Sequence, residues 1–136
     1  MVAETIYLDV ADVVALHNVM MERLGLRPEP LRDTGLLESA LLKPQMAAHY
    51  EQTDLVRQAT LLAVGIAQNQ PLVDGNKRTA YTISTMFLRQ NGLLFQGDII
   101  EIADQLILLA ERTDGLDATT RRFEAWLRER VAEQPH

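Results

Sequence analysis

Apolar residues at helical spacing run through nearly the whole chain and constrain its fold more than any other sequence feature. Successive stretches place aliphatic or aromatic residues three and four positions apart, with capping or helix-breaking residues between the stretches. No strand-length run alternates apolar and polar residues, although Leu93 to Phe95 is suited to a brief extended segment. The pattern therefore predicts an all-α fold, a compact bundle of about six helices.

Caps and breakers place the first two helices. Asp9 is positioned to cap the first helix and Gly25 to end it, while Asp33 is positioned to cap the second. Because proline disfavours helical backbone in the residue before it, we expect the second helix to stop at Lys43-Pro44. The pattern leaves Gln45 to Thr53 unassigned.

The same signals place the remaining four helices. The third helix is predicted to begin near Asp54 and end at Gln70-Pro71, and the fourth to run from Asn76 to Asn91. The fifth is predicted to begin at a capping pair formed by Asp98 and Glu101, and the sixth at a cap formed by Asp117.

Length and composition are typical of one soluble globular unit. The chain has 136 residues, of which 47% are hydrophobic and 24% charged, and we expect a single domain over 1–136 with a core over about 6–131. The formal net charge of −6 argues against direct DNA binding, which needs clustered basic surface. The chain has no cysteine, which excludes disulfides and thiolate nucleophiles. No secretory leader or membrane-length apolar run is visible, so we expect a cytoplasmic protein without membrane contact.

One segment departs from this acidic average. Asp74-Gly75-Asn76 leads directly into Lys77-Arg78, and Lys77 is one of only two lysines. Two cations in the first turn of a helix oppose the helix dipole unless an anion binds there. Gly75 would let a phosphate approach the backbone, and Asp74 could hold a magnesium ion. The alternative is an ordinary turn capped by Asp74 or Asn76, followed by a solvated Lys-Arg pair.

The residues from Val73 to Ala80, Val-Asp-Gly-Asn-Lys-Arg-Thr-Ala, closely resemble the signature loop of the Fic/Doc family. The match is to its death-on-curing (Doc) branch, whose usual pattern is His-x-Phe-x-Asp-(Gly/Ala)-Asn-Lys-Arg. The segments from Leu31 to Ala40 and from Phe87 to Gly92 also resemble that branch. The resemblance thus extends over nearly the whole chain and implies a Fic/Doc-like helical fold.

The resemblance implies a role for each matching loop residue. Asp74 would bind the magnesium of the nucleotide, Gly75 and Asn76 would form the anion-holding turn, and Lys77 and Arg78 would contact nucleotide phosphates. The implied cofactors are ATP and Mg²⁺. The implied protein is a toxin of a type II toxin–antitoxin system, a protein kinase that phosphorylates a threonine of translation elongation factor Tu and so blocks translation. Its implied partner is a cognate antitoxin with a helical segment that binds a groove.

The chain departs from the family pattern at its catalytic position. Gln70 stands in place of the motif histidine, and Leu72 in place of the phenylalanine. Tyr81 stands where most Fic proteins carry a second arginine, and Lys77 where they carry glycine. A glutamine amide can orient a hydroxyl but cannot accept its proton near neutral pH, and losing a general base typically costs ~10²–10⁴ in rate.

We therefore expect this chain to be inactive or impaired, and whether it is an enzyme stays open at this point. Two alternatives remain, a non-catalytic nucleotide- or antitoxin-binding module and an AMP transferase of the broader Fic type. Other histidines are weak substitutes for the missing base. His17 lies on an apolar helix face typical of a core residue, His49 precedes the third helix, and His136 is the last residue.

Overall fold

The computed structural model describes residues 4–27, 31–51, 53–72, 75–111 and 115–135. Within these ranges it contains six α-helices and two short strands, which confirms the predicted all-α fold. In chain order they are α1 (Val10–Arg23), α2 (Thr34–Glu51), α3 (Leu55–Asn69), α4 (Asn76–Gln90), β1 (Leu93–Phe95), α5 (Ile99–Glu111), α6 (Leu116–Arg128) and β2 (Val131–Glu133). None of the helices in the described part of the chain combines the length and apolar character needed to cross a membrane.

Side-chain caps fix the start of three helices where the sequence predicts them. The Asp9 carboxylate accepts the Asp12 N–H at 2.8 Å, and the Asp12 carboxylate accepts the Asp9 N–H in return. Asp33 accepts the Leu36 N–H at the start of α2, and Asp54 caps α3. Each carboxylate satisfies a backbone donor that the first helical turn leaves without a partner.

The predicted stop of α2 at Lys43-Pro44 is wrong, because the helix continues through Pro44 to Glu51. The unassigned stretch after Pro44 is therefore mostly the second half of this helix. Proline removes one intrahelical hydrogen bond, but Ala40, Pro44 and Ala47 are all buried on one face of α2, which packs against α3. Burial of this face offsets the lost hydrogen bond.

Helix α3 lies at the centre of the bundle and packs against α2, α4, α5 and α6. Its residues are buried almost continuously between Val56 and Ala67, on more faces than the one that its apolar stripe predicts. The buried polar side chains among them have hydrogen-bond partners, since Thr60 donates to the Val56 carbonyl at 2.9 Å and Gln58 accepts the Tyr7 hydroxyl at 2.8 Å. A helix enclosed in this way gives its C-terminal end a fixed position.

The C-terminal region closes against the end of α4. Strand β2 pairs antiparallel with β1, in a register that places Leu94 opposite Ala132. Strand β1 matches the predicted extended segment, whereas β2 was not predicted. The N-cap of α6 is Gly115, and Asp117 lies in the first turn, so the predicted Asp117 cap is wrong by two residues.

Candidate functional site

The signature loop, defined as residues 70–78, joins the C-terminal end of α3 to the first turn of α4. Gln70 is the C-cap of α3, with a left-handed backbone at φ 46° and ψ 58°. Among the described residues it is the one non-glycine residue with positive φ. This conformation costs an L-residue about 1–2 kcal/mol, so the surrounding structure must hold it. Gln70 is exposed to solvent.

The loop is anchored by buried residues that follow Gln70. Pro71 and Leu72 are both buried, and only 2% of the Leu72 surface is exposed. Leu72 also forms an isolated antiparallel bridge with Leu31. Leu72 thus serves as an apolar anchor, as the sequence predicts for the residue that replaces the motif phenylalanine.

Asn76 closes the loop on itself with both ends of its amide. Its Oδ1 accepts the Leu72 N–H at 3.0 Å, and its Nδ2 donates to the Leu72 carbonyl at 2.9 Å. Both hydrogen-bonding groups of one loop residue are therefore satisfied by a single side chain, which holds the loop against the start of α4.

Gly75 is the N-cap of α4, with φ 81°. The alternative in which Asn76 caps the helix is wrong, because Asn76 is the first helical residue and its amide bonds to Leu72. A Cβ on Gly75 would lie 3.1 Å from Cε1 of His17. His17 is buried, and its Nδ1 lies 3.3 Å from the Thr79 hydroxyl. His17 is thus a core residue beneath the turn, as its place on an apolar stripe predicts.

The first turn of α4 carries positive charge. Lys77 and Arg78 are exposed, and the turn contains no acidic residue. The N-cap glycine makes no side-chain hydrogen bond to the backbone N–H groups at the start of α4. Those N–H groups, the helix dipole and the two cations can act together on one anion. This geometry suits a phosphate group.

An apolar groove lies beside the two cations, between α4 and α5. This α4–α5 groove has a volume of about 150 Å³. Its lining residues are Lys77, Arg78, Tyr81, Ile99, Ile102, Ala103, Leu106 and Ile107. Ile99 and Ile107 are exposed, with 61% and 42% of their surfaces open to solvent. The groove therefore combines an apolar floor with a cationic end.

Asp74, the expected magnesium ligand, and Val73 lie outside the described residues. Within the described part of the chain, no group of three or more His, Asp or Glu side chains is arranged to hold a metal ion. The loop fits the phosphate part of a magnesium nucleotide through Gly75, Lys77 and Arg78. The role of Asp74 stays a prediction from the sequence.

His49 lies far from the signature loop. It is exposed in the last turn of α2, with its ring 4.7 Å from that of Tyr50. The other end of α2 contacts the loop region, where Asn69 donates to the Leu36 carbonyl. Thirteen residues at a helical rise of ~1.5 Å separate Leu36 from His49 by about 20 Å. His136 lies outside the described residues.

Arg32 also contacts the site, although the sequence analysis did not single it out as a site residue. Its Nε donates to the Gln70 carbonyl at 2.8 Å, and its Nη2 donates to the Asn69 carbonyl at 2.9 Å. The only signal was its place in the segment from Leu31 to Ala40, which matches the family pattern.

Comparisons with known proteins show which family and which relatives this chain resembles. A family model described as the Fic/DOC family matches residues 7–88. A relative named Toxin Doc, from Mycolicibacterium smegmatis, is 33% identical over 106 residues, which cover 76% of this chain and 78% of that protein. A relative named Protein kinase doc, from Escherichia phage P1, is 34% identical over 83 residues, which cover 60% of this chain and 65% of that protein.

Proposed function

Because this chain belongs to the Fic/Doc family, we propose that it is a Doc-type toxin whose signature loop binds Mg-ATP for phosphoryl transfer to a protein hydroxyl. The observation that carries the proposal is the start of α4, where a glycine N-cap with φ 81° precedes the exposed pair Lys77 and Arg78. A cationic helix start without acidic residues is unfavourable unless an anion binds to it.

The phosphates of the nucleotide are the anion that this site suits. The backbone N–H groups of the first α4 turn, Lys77 and Arg78 hold them, and Asp74 binds the magnesium ion. Phosphoryl transfer depends mainly on positioning and on stabilising negative charge, so these groups supply most of what the reaction needs. When bound, Mg-ATP supplies the γ-phosphoryl group, and ADP leaves.

Position 70 determines how well the acceptor is activated. The attacking hydroxyl must lose its proton as its oxygen bonds to phosphorus, and a histidine at this position would take that proton. Gln70 can accept a hydrogen bond from the hydroxyl and orient it, but its amide does not become protonated near neutral pH. We therefore expect weak or no transfer by this chain and intact nucleotide binding.

The expected acceptor is a threonine of translation elongation factor Tu, and its phosphorylation would block translation. Phosphoryl transfer is favoured over AMP transfer because Tyr81 occupies the position of the second arginine found in most Fic proteins. The Tyr81 ring lies edge-on to Phe95, with 6.4 Å between ring centroids. It brings no positive charge to the site.

The cognate antitoxin is expected to place a helical segment in the α4–α5 groove. The apolar floor suits one face of an amphipathic helix, and Lys77 and Arg78 suit acidic residues beside that face. Ile99→Glu should abolish capture of the antitoxin encoded alongside this protein. Ile6→Glu is the control, because Ile6 is also exposed (52% against 61% for Ile99) but contacts Asn91 at the other end of α4. Equal capture by both variants would exclude the groove.

Restoring the missing base tests the catalytic proposal. Gln70→His should raise phosphate transfer from labelled ATP to elongation factor Tu by ~10²–10⁴, and its expression should slow growth. Within that variant, Arg78→Ala should abolish transfer, whereas Arg89→Ala should not, since Arg89 is exposed in the last turn of the same helix. An adenylyl adduct detected by mass spectrometry would instead identify an AMP transferase.

Calorimetry on the unmodified chain separates the toxin from a non-catalytic module. Mg-ATP binding that is lost in Lys77→Ala shows a working nucleotide site. If Gln70→His neither labels the target nor slows growth while that binding persists, the chain is a nucleotide-binding module. If neither binding nor labelling occurs, the proposal fails and only the antitoxin surface remains.

A further inference from the structure

We propose that Arg32 is a positioning residue that holds residue 70 in its left-handed conformation. It thereby fixes the backbone position from which the side chain at the catalytic position extends. The conformational part of this inference stands on the geometry alone. Its consequence for catalysis rests on the proposed function, in which the residue at position 70 activates the acceptor hydroxyl.

The Arg32 guanidinium spans two successive carbonyl groups at the end of α3. Nε donates to the Gln70 carbonyl at 2.8 Å and Nη2 to the Asn69 carbonyl at 2.9 Å. These carbonyls belong to the helix terminus whose C=O groups lack intrahelical partners. A positive charge there also interacts favourably with the negative end of the helix dipole. Arg32 thus stabilises the terminus in the conformation in which both carbonyls point toward one side chain.

The main chain beside Arg32 extends the same attachment to the next loop residue. The Arg32 N–H donates to the Pro71 carbonyl at 2.8 Å, and the Asp33 N–H donates to it at 3.2 Å. The side chain and backbone of one short segment therefore bind the carbonyls of three consecutive residues, 69 to 71. These hydrogen bonds surround Gln70, the residue at which the backbone has a positive φ without being glycine.

Arginine suits this role better than lysine. A guanidinium presents several donors in a rigid planar fork, so one side chain can reach two carbonyls at once. A lysine ammonium keeps the charge and can reach one carbonyl, but it does not fix the angle between two. We therefore expect Arg32→Lys to restore the function of the site only in part, and Arg32→Ala to lose it.

Nuclear magnetic resonance on the unmodified chain tests the conformational part without any activity. The Cα and Cβ chemical shifts of Gln70 report its backbone angles. Arg32→Ala should move these shifts away from their left-handed values, whereas Arg23→Ala should not. Arg23 is a matched control, since it is an exposed arginine in the last turn of α1. Gln70 shifts that stay unchanged in Arg32→Ala would overturn the proposal.

Kinetics in the Gln70→His background test the catalytic part. Arg32→Ala should lower kcat at least tenfold with little change in KM for ATP, because the phosphate-binding residues lie elsewhere in the loop. Arg32→Lys should recover part of kcat, and Arg23→Ala should leave it unchanged. A kcat within twofold of the parent, or a loss that matches the loss of folded protein, would overturn the catalytic role. If Gln70→His has no activity at all, the proposed function fails, and the chemical shifts still decide the conformational role.

Discussion

The crossing of α2 and α3 makes a sharp prediction about Gly65. A Cβ added at Gly65 would lie 3.1 Å from both Cα and Cβ of Ala40 and 3.5 Å from the Ala40 carbonyl oxygen. Carbon atoms in favourable contact are ~3.5–4.0 Å apart. Because one of the atoms in the way belongs to the α2 backbone, a side-chain rotation cannot relieve the contact. The two helices would have to separate by roughly 0.5 Å.

Two effects of opposite sign determine the outcome of Gly65→Ala. Alanine in a helix interior is favoured over glycine by about 1 kcal/mol. Overpacking a buried contact costs roughly 1–3 kcal/mol. We expect the second effect to prevail, so that Gly65→Ala lowers the free energy of unfolding by about 1 kcal/mol net.

Gly35→Ala is the matched control, since Gly35 is also helical and the change in the unfolded chain is the same. A Cβ on Gly35 would meet only Asp33 Oδ1, the oxygen that caps α2, at 3.2 Å, and this exposed side chain can shift by a few tenths of an ångström while it keeps its hydrogen bond to the Leu36 N–H. Gly35→Ala should therefore raise the free energy of unfolding by about 0.5 kcal/mol. The difference between the two variants isolates the helix crossing.

Urea denaturation followed by far-ultraviolet circular dichroism measures both variants on one scale, and an unchanged dependence on urea concentration would show that they unfold alike. The thermal midpoint of Gly65→Ala should fall by ~4 °C. If Gly65→Ala proves as stabilising as Gly35→Ala, the close packing of α2 on α3 is wrong, together with the explanation of why α2 continues past Pro44.

Two further predictions concern a helix cap and the loop. The Arg128 guanidinium, through its hydrogen bond, holds the pKa of the Asp54 carboxyl below its ordinary value of 3.8. The ionised pair therefore stabilises the fold above pH 3.8, and this contribution is lost as the pH falls below that value. Urea midpoints of Asp54→Asn should accordingly depend less on acidic pH than those of the parent chain, and equal slopes would contradict this interaction. Asn76→Ala should lower the free energy of unfolding by about 1–2 kcal/mol, because both main-chain groups of Leu72 lose their hydrogen-bond partner. The same variant should bind Mg-ATP more weakly in calorimetry, and an unchanged affinity would show that the loop does not need this amide.

Local sequence patterns predicted most of the helices of the fold. Helical spacing and short-range caps such as Asp9 and Asp54 act within one or two turns, so the sequence alone was enough to place them. The rule that failed was also local. A proline discourages the helix before it, but Pro44 is buried against α3, and that tertiary contact outweighs the local preference.

Strand β2 and the cap of α6 show the same limit. Val131–Glu133 becomes a strand only because β1 lies beside it. A pattern of three residues cannot predict pairing with a segment almost forty positions earlier. Gly115 rather than Asp117 caps α6, although the sequence favours the carboxylate. For β2, a neighbour in space decided the structure.

The sequence by itself determined the helical fold, the family and the residue types of the loop, including Gln70 at its start. These depend on residue types and on spacings of a few positions. Only the tertiary structure decided how the loop is held. It brings Arg32 to the carbonyl of Gln70 across 38 positions and His17 beneath Gly75, because the packing of helices, which local patterns do not encode, brings these distant segments together.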